Sequence, residues 1–344
     1  MAGTMKAVEI QGGKGPATAL FINAATPIPT PGAGEALVRI RAFGLNRMDL
    51  IQREGKYPVP PQAPSTLGVE FSGTIEAFGA ETGAPPPPQH GDFAVGDAVF
   101  GLAYGGAYAE YIAVSTRLLL PKPASLSWEV AAGIPETYMT ATQALHLVGE
   151  FGAGKTVLWH AGASGVSIAG IQLSLAAGAA AVYATAGSDA KCAFVERELG
   201  ATKAFNYKTS RDWGAEVLAE TGGRGVDLIV DFVGASYFAQ NLAVVARDAR
   251  WVLLGLMGGS RLEAGVDFGS LLFKRVRLEG STLRSRDLEY QGRLRDKLAE
   301  YIPRIESGEL KVLVDTVLPM GEIVKAHQLL EENKTTGKII CTVP

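Results

Sequence analysis

Residues 157–167, with the sequence VLWHAGASGVS, decide the fold of this chain. The apolar run Val157–Trp159 is typical of a short strand buried inside a parallel sheet. A turn of small residues follows, and apolar side chains then recur with helical spacing at Ile168, Ile171 and Leu175. This context suits a dinucleotide phosphate, because the turn exposes backbone N–H groups and the helix N-terminus carries partial positive charge.

The match to the dinucleotide fingerprint G-x-G-x-x-G is partial. Gly162 holds the first glycine position, but Ser164 and Ser167 replace the second and third. Taken alone, the turn is also consistent with glycines that only let a helix pack closely on a strand. The downstream order favours the phosphate site, since it predicts further strands with interleaved helices at residues 180–186, 204–207, 226–233, 251–254 and 276–280. We therefore predict a doubly wound parallel α/β Rossmann sheet of strand order 3-2-1-4-5-6.

The segment before this sheet has the pattern of a mostly β domain. A helix is predicted at residues 46–53, a surface loop at the proline-rich residues 84–90, and strands at residues 5–10, 36–43, 67–79, 95–100 and 106–114. Helix and strand patterns return in about the last sixty residues, which we expect to complete this domain. The predicted domains are residues 1–134 with 284–344, and residues 135–283.

Composition and charge exclude several classes of protein. The chain has 344 residues and a net charge of −3, so it has no general attraction for nucleic acid or an anionic membrane. The densest basic region, Lys274–Lys297, is diluted by acidic residues and is interpreted as a solvated face. Only two cysteines are present, which excludes a disulfide framework and a four-cysteine zinc lobe. The sequence shows no signal segment and no long charge-free apolar run, so we expect a cytoplasmic protein.

Eight motifs occur in an order that resembles the medium-chain dehydrogenase/reductases. They are LGVEFSGTIEAFG, VGDAVFG, GAYAEY, GIPETYMTATQAL, HAGASGVS, FNYK, TGGRGVDLIVDFVG and ENKTTGKII. The segments LNRMDLIQREGKY, WVLLGLMGG and LLFKR further resemble the zinc-free quinone oxidoreductases, the branch of zeta-crystallin. The resemblance implies a GroES-like catalytic domain beside the Rossmann domain, NADPH as cofactor, and a homodimer.

The sequence departs from the zinc-dependent members of this superfamily at two positions. Those members carry a cysteine near the position of Asn46 and a histidine before Glu70, where this chain has Val69. Neither asparagine nor valine offers the thiolate or imidazole that zinc prefers. The four histidines show no paired ligand spacing, and His160 is assigned a structural, hydrogen-bonded role. We therefore expect no metal site.

Residues that follow the first and second Rossmann strands are the candidate cofactor ligands. Ser164, Gly165 and Val166 are expected to present backbone N–H groups to the pyrophosphate, although a cap and a packing glycine would give the same pattern. Enzymes that use NAD place an acidic residue after the second strand, whereas this strand ends before Ser188. A lysine in the first helical turn opposes the helix dipole, and a 2′-phosphate held by Ser188 and Lys191 would remove that conflict.

Other candidates depend on the resemblance or on the topology. Asp189 could serve an NAD ribose instead, and Tyr207 is carried over from the family as a contact of the phosphate or adenine. Thr140 resembles the family's nicotinamide-facing threonine. Met257 and Gly258 follow the fifth strand, where the topology of such sheets places ligands.

Two residues of the first domain are the catalytic candidates. Asn46 is expected to face nicotinamide and substrate, but it is an equally good helix cap. Tyr57 lies in a proline-rich loop where an aromatic has no periodic core role, so we assign it to stack on a planar substrate or to donate a hydrogen bond.

The sequence thus predicts an NADPH-dependent, zinc-independent quinone reductase whose acceptor binds in the interdomain cleft. Two alternatives stay open. One is an NADPH-dependent enone or enoyl-thioester reductase, and the other is a non-enzymatic NADPH-binding protein associated with RNA. The acidic balance argues against the second, because RNA-binding proteins present basic stripes with interleaved aromatics.

Overall fold

The computed structural model describes residues 3–79, 93–262 and 264–344. The predicted proline-rich loop at residues 84–90 lies outside the described residues. The strands are β1 (Thr4–Ile10), β2 (Leu20–Pro27), β3 (Glu35–Gly44), β4 (Glu70–Phe78), β5 (Ala98–Leu102), β6 (Tyr111–Ser115), β7 (Leu119–Pro121), β8 (Thr156–Trp159), β9 (Ala181–Ala186), β10 (Lys203–Asn206), β11 (Val226–Asp231), β12 (Val245–Leu253), β13 (Arg277–Gly280), β14 (Val314–Pro319) and β15 (Lys338–Thr342).

The α-helices are α1 (Arg47–Arg53), α2 (Trp128–Ala132), α3 (Pro135–Thr142), α4 (Gly165–Ala176), α5 (Asp189–Leu199), α6 (Trp213–Glu220), α7 (Phe238–Val244), α8 (Gly269–Phe273), α9 (Leu288–Glu306) and α10 (Ile323–Glu331). A π-helical segment, Gln143–Val148, continues from α3. The chain forms two compact units, residues 1–139 with 284–344 (unit 1) and residues 140–283 (unit 2). The first division of the units falls inside α3.

Unit 1 is built on a mainly antiparallel sheet with the strand order β14-β15-β3-β4-β5-β7, in which β6 also pairs with β3. Strand β3 shows why the sequence folds this way, because its side chains alternate between buried and half-buried along the first seven residues. The strands from the end of the chain lie beside β3, where residues Ile340–Thr342 pair with Ala42–Gly44. The last segment of the chain therefore belongs to unit 1, as the sequence predicted.

Unit 2 contains a parallel sheet with the order β10-β9-β8-β11-β12-β13. Numbered within this unit, the order is 3-2-1-4-5-6, which confirms the predicted Rossmann topology. The central strands are apolar on both faces because helices cover both sides of such a sheet. Trp159, Trp213 and Trp251 are at most 1% exposed in its core.

A close approach fixes the position of α4 on this sheet. A Cβ atom on Gly170 would lie 2.2 Å from the Trp159 ring, so only glycine lets the helix rest on that side chain. The Trp159 indole Nε1 also donates to Ser174 Oγ on the same helix, at 3.0 Å. These contacts hold the N-terminus of α4 directly beyond the end of β8.

Two details of the predicted helices and strands were wrong or missed. Leu175 follows the helical spacing of the α4 face but is 37% exposed, so it lies outside the core. The strand β2 was not predicted, and it pairs with β1 in a separate antiparallel sheet. Within the described ranges, no helix is long and apolar enough to cross a membrane.

Candidate functional site

The turn after β8 has the geometry of an anion site. Gly162 packs against β9, where an added Cβ would lie 2.8 Å from the Ala184 side chain, so its role is close packing. Ser164 is the N-cap of α4 and its Oγ accepts from the Ser167 N–H at 3.4 Å. Ser164, Gly165 and Val166 are partly exposed, and the first turn of α4 contains no acidic residue. Backbone N–H groups and the helix dipole are thus presented at one exposed point, as a pyrophosphate requires.

The end of β9 brings the predicted phosphate ligands together. Ser188 is the N-cap of α5, and its Oγ accepts from the Lys191 N–H at 3.2 Å. Tyr207 is 41% exposed, and its hydroxyl lies 2.7 Å from the place where a Cβ on Gly187 would stand. Asp189, which could have served a ribose, accepts from Asn206 Nδ2 at 2.7 Å through Oδ1. Ser188 and Tyr207 thus place hydroxyl groups at the end of β9, and one oxygen of the nearby Asp189 carboxylate is already engaged.

Met257 and Gly258 lie in the loop after β12, at the carboxyl edge of the sheet. Their N–H groups donate to the carbonyls of Phe232 and Val233 in the loop after β11, at 3.1 and 2.7 Å. This is the edge where the turn after β8 also lies, because the strands are parallel. Thr140 is 9% exposed on α3.

His160 has the structural role that the sequence predicted. It is fully buried, with Nδ1 3.0 Å from Thr185 Oγ1 and Nε2 2.8 Å from Asn241 Oδ1. Burial lowers the pKa of His160, while the charge of Asp231 opposes that shift. The imidazole is therefore kept neutral beside the turn after β8, where it ties the ends of β8 and β9 to α7.

Asn46 in unit 1 has the helix-cap position that the sequence predicted, and its role towards nicotinamide and substrate stays a prediction. It stands at the N-cap position of α1, and its backbone N–H donates to Asp49 Oδ2 at 2.8 Å. Its side chain points into a polar cluster, where Nδ2 donates to Glu70 Oε1 at 2.9 Å and Oδ1 accepts from Lys338 Nζ at 2.7 Å. We call Asn46, Asp49, Glu70, Glu136 and Lys338 the carboxyl cluster.

A buried ion pair lies at the centre of the carboxyl cluster. Lys338 Nζ lies 2.6 Å from Glu70 Oε1, and the two side chains are 5% and 0% exposed. The same ammonium donates to the Leu45 carbonyl at 2.7 Å as well as to Asn46, so its three hydrogens are all directed at acceptors. Glu70 Oε2 accepts from the Glu136 backbone N–H at 2.9 Å. This pair was not predicted from the sequence, although the glutamate between apolar residues in LGVEF indicates a buried charge that needs a partner.

The donors around Asn46 do not fit a catalytic zinc ion. Its amide oxygen and nitrogen are both hydrogen bonded to cluster residues, and Val69 is 1% exposed and offers no ligand atom. Across the described parts of the chain, no group of three or more His, Cys, Asp or Glu side chains could hold a metal ion. The metal-independent activity stays a prediction that elemental analysis must test.

Two carboxyl groups of the cluster have raised pKa values. Burial raises the pKa of Asp49 to about 6, although hydrogen bonds from the Asn46 N–H and the Tyr108 hydroxyl oppose the shift. Burial, followed by repulsion from Glu70, raises the pKa of Glu136 to about 7. Glu136 is partly exposed, whereas Asp49 and Glu70 are fully buried.

Tyr57 lies against Arg284. The Arg284 guanidinium carbon is 5.4 Å from the centre of the Tyr57 ring. Its Nε donates to the Tyr104 carbonyl and its Nη1 to Gln52 Oε1, both at 2.6 Å. Burial and the nearby charge of Glu136 raise the pKa of Tyr57, so the phenol is neutral and can donate its proton. Arg284 is 3% exposed, which makes the interpretation of residues 274–297 as a solvated face wrong at this position.

Comparisons with known proteins agree with this fold. A family model described as an alcohol dehydrogenase GroES-like domain matches residues 32–124, and one described as a zinc-binding dehydrogenase matches residues 165–300. Prostaglandin reductase-3 of Mus musculus is 30% identical over 92% of this chain and 84% of its own length. Phthioceranic/hydroxyphthioceranic acid synthase of Mycobacterium tuberculosis is 28% identical over 91% of this chain, which spans only 14% of that synthase.

Solved structures match over nearly the whole chain. An NAD-dependent alcohol dehydrogenase has 32% identity and a TM-score of 0.83, covering 99% of this chain and 100% of its own. A mycobacterial quinone oxidoreductase has 31% identity and a TM-score of 0.81, with coverages of 98% and 99%. A mycobacterial protein complexed with NADPH has 30% identity and a TM-score of 0.83, with the same coverages. The chain belongs to the medium-chain dehydrogenase/reductase superfamily.

Proposed function

We propose that this protein is an NADPH-dependent, zinc-independent reductase that transfers hydride to a quinone. The observation that carries the proposal is the Tyr57–Arg284 pair, a neutral phenol backed by a buried guanidinium. Its ring provides a stacking surface for a planar acceptor, and its hydroxyl provides a proton donor. A quinone needs little more, because the charge from an arriving hydride spreads over a conjugated dioxygen system. A saturated alcohol would instead build up alkoxide character, which a metal ion normally stabilises.

NADPH is the cofactor in this proposal. Ser164, Gly165 and Val166 would hold the pyrophosphate, and Ser188, Lys191 and Tyr207 would hold the 2′-phosphate. The exposed N-terminus of α4 and the clustered side chains at the end of β9 support this assignment. So does the NADPH complex of a protein with 30% identity. Thr140, Met257 and Gly258 stay predictions as further contacts.

The residues of unit 1 would act on the acceptor while NADPH, when bound, supplies the hydride. Tyr57 donates its phenolic proton to the acceptor oxygen that becomes negative. Arg284 holds the ring and, being positive, favours the transient phenolate. Asn46, held between Glu70 and Lys338, stays a prediction as a direct contact of the acceptor.

An enone or enoyl-thioester reductase is the second candidate. It is favoured by the identity to prostaglandin reductase-3 and to a segment of a large acid synthase. The same two groups would serve it, because hydride addition to a conjugated carbonyl also leaves a negative oxygen. An RNA-associated role has less support, since 35 acidic residues outnumber 32 basic ones.

A homodimer through the open edge of the unit 2 sheet belongs to the same proposal. All four residues of β13 are exposed, and Leu272 and Phe273 beside it are each 74% exposed. An unpaired strand edge beside exposed apolar side chains is an aggregation hazard that proteins usually cover. Pairing of β13 across a two-fold axis would cover it. A cytoplasmic location also stays a prediction.

The test is an NADPH oxidation screen with ortho-quinones, para-quinones, enones and enoyl thioesters, run with and without a chelator. We expect quinones to be reduced fastest and chelator to have no effect. Tyr57→Ala should lower quinone turnover severely, and Tyr57→Phe, which keeps the ring, should lower it less. Comparable oxidation of ethanol with NADP, stoichiometric bound zinc, or a fully active Tyr57→Ala enzyme would contradict the proposal.

A further inference from the structure

The carboxylate of Asp231 holds the loop that follows β11. Asp231 is the last residue of that strand and is fully buried. Its Oδ1 accepts from the backbone N–H groups of Val233 and Gly234, at 2.7 and 3.0 Å. Its Oδ2 accepts from Asn241 Nδ2 at 3.1 Å and from Trp251 Nε1 at 3.0 Å. Four donors therefore face the two oxygens, which suits a carboxylate, because a carboxylate has four acceptor sites and no hydrogen of its own.

This carboxylate fixes the direction of a buried chain of hydrogen bonds. Because Asp231 can only accept, Asn241 turns its Nδ2 towards Asp231 and its Oδ1 towards His160 Nε2, which lies 2.8 Å away. His160 must therefore carry its hydrogen on Nε2, and its Nδ1 accepts from the Thr185 hydroxyl at 3.0 Å. All four side chains belong to residues that are 0% exposed. We call these four residues the Asp231 chain.

The far end of the Asp231 chain anchors the turn after β8. His160 directly precedes Ala161, whose φ of 51° is unusual for a residue other than glycine and needs support from its surroundings. Ser167 Oγ donates to the His160 carbonyl at 2.7 Å. Thr185 lies near the end of β9, and its carbonyl accepts from the Gly162 N–H at 2.8 Å. The side chains of the Asp231 chain therefore hold a turn whose backbone is already bound to β9.

The loop after β12 rests on the loop that Asp231 holds. The N–H groups of Met257 and Gly258 donate to the carbonyls of Phe232 and Val233. A Cβ atom on Gly258 would lie 2.8 Å from the Val233 side chain, so the two loops are in direct contact. The members of the Asp231 chain are buried, so none of them touches a cofactor bound at this edge. Any effect of the chain on NADPH must pass through the turn and the loops.

Resting on the cofactor site proposed above, we propose that Asp231 is a positioning residue for NADPH. Through Asn241 and His160 it sets the turn after β8, and through Val233 and Gly234 it sets the loops after β11 and β12. Loops that are already in place raise the affinity, because the protein need not order them when NADPH binds. A protein whose loops are correctly placed for only part of the time binds with an affinity reduced by that fraction.

The experiment compares Asp231→Asn with a matched change at the other end of the same strand. The Asp227 side chain is 9% exposed, and its Oδ2 accepts from the Thr156 N–H at 2.8 Å. This contact lies at the amino edge of the sheet, where β8 and β11 begin. Asp231→Asn places an N–H group opposite donors and should raise the Kd of NADPH on the order of 10-fold to 100-fold, as measured by titration of NADPH fluorescence. Asp227→Asn should lower the unfolding free energy and leave that Kd unchanged.

The double variant Asp231→Asn/Asn241→Asp tests the hydrogen-bond chain itself. It again places a donor opposite an acceptor between these two positions, and His160 Nε2 still meets an acceptor. We therefore expect part of the lost NADPH affinity to return, whereas two independent destabilising substitutions would add their effects. In steady-state kinetics, Asp231→Asn should raise the KM for NADPH more than it lowers kcat. A double variant that binds NADPH no better than Asp231→Asn would contradict the chain.

A measurement on the wild type needs no substitution. NMR of the imidazole nitrogens should show the His160 hydrogen on Nε2, with and without NADPH, and a hydrogen on Nδ1 would overturn the inference. A folded Asp231→Asn protein with the wild-type Kd, or an equal rise of the Kd in Asp227→Asn, would also overturn it. If Asp231→Asn does not fold, Thr185→Val replaces it, since this change removes only the hydroxyl at the end of the chain, and an unchanged Kd refutes the inference. Wild-type protein that binds NADPH but reduces no acceptor contradicts the proposed function alone, because binding decides this inference.

Discussion

Replacing Lys338 with methionine removes the positive partner of a buried ion pair and leaves the apolar part of the side chain in place. The ammonium lies 2.6 Å from Glu70 and 2.7 Å from both the Leu45 carbonyl and Asn46 Oδ1. The substitution therefore strands one carboxylate and two neutral acceptors in a site that is at most 5% exposed. Breaking a buried pair in this way costs about 3–5 kcal/mol of unfolding free energy, mainly because a buried charge is left uncompensated.

The chain provides a matched surface control for this substitution. Lys334 pairs with Glu332 at 2.9 Å, but the two side chains are 80% and 46% exposed. Lys334→Met should cost no more than about 1 kcal/mol, since water screens the exposed pair. The double variant Glu70→Gln/Lys338→Met should recover part of the loss, because glutamine still accepts hydrogen bonds but carries no charge.

Urea unfolding followed by circular dichroism measures these differences. We expect Lys338→Met to move the transition of unit 1 to lower urea without changing its slope, as a pure loss of stability does. The recovery in the double variant gives the coupling between the two residues. If Lys338→Met lowers the unfolding free energy by less than about 1 kcal/mol, as Lys334→Met should, then the Lys338–Glu70 pair does not stabilise unit 1 as a buried ion pair, and the reasoning is refuted.

Three further predictions follow from other parts of the structure. Lys191→Glu should weaken NADPH binding by about 1.5–3 kcal/mol and leave NADH binding nearly unchanged, and an unaltered NADPH/NADH ratio would make Lys191 a mere surface residue. Burial, followed by the charge of Arg53, lowers the pKa of His327 to about 3, so the contribution of His327 to the unfolding free energy is lost as pH falls below 6.5. Between pH 6.5 and 4 the difference in unfolding free energy between the wild type and His327→Gln should therefore change by roughly 3 kcal/mol in urea unfolding. Leu272→Glu/Phe273→Glu should convert a dimer to a monomer by light scattering, and a monomeric wild type at micromolar concentration would refute the dimer.

The fold of unit 2 could be predicted because its strands are apolar runs and because topology rules leave few arrangements for them. The start of β12 could not be predicted in this way. The strand begins at Val245, six residues before the predicted start, and its first part contains Arg247 and Asp248. Asp248 has a positive φ of 63° and the pairing with β11 shifts register in this part, so neither alternation nor an apolar run marks the strand.

The candidate residues of unit 2 could be predicted from the sequence, whereas the carboxyl cluster of unit 1 could not. Ser164, Ser188 and Met257 each follow a strand of one parallel sheet, so the strand order alone brings them to one edge. No such rule predicts the carboxyl cluster, because Glu70, Glu136 and Lys338 come from distant segments of the chain. Glu70 and Lys338 are brought together by the pairing of β15 with β3 and of β3 with β4. A lone lysine in a sequence has no preferred partner, so its pairing with Glu70 needed the structure.

The charge balance of unit 1 connects its stability to its chemistry. Lys338 compensates Glu70 directly, and it also lowers the pKa of Glu136, which burial and Glu70 raise. If methionine replaces Lys338, Glu136 loses an attractive charge and still faces a carboxylate, so its pKa must rise further. In Lys338→Met protein that remains folded, the Glu136 carboxyl should therefore titrate at a higher pH than in the wild type, as followed by NMR. The neutral double variant Glu70→Gln/Lys338→Met removes both the attraction and the main repulsion, so its Glu136 titration should return towards the wild-type position, and an unchanged titration in Lys338→Met would contradict this reasoning. Lys338 thus contributes both to the unfolding free energy of unit 1 and to the pH at which Glu136 releases its proton.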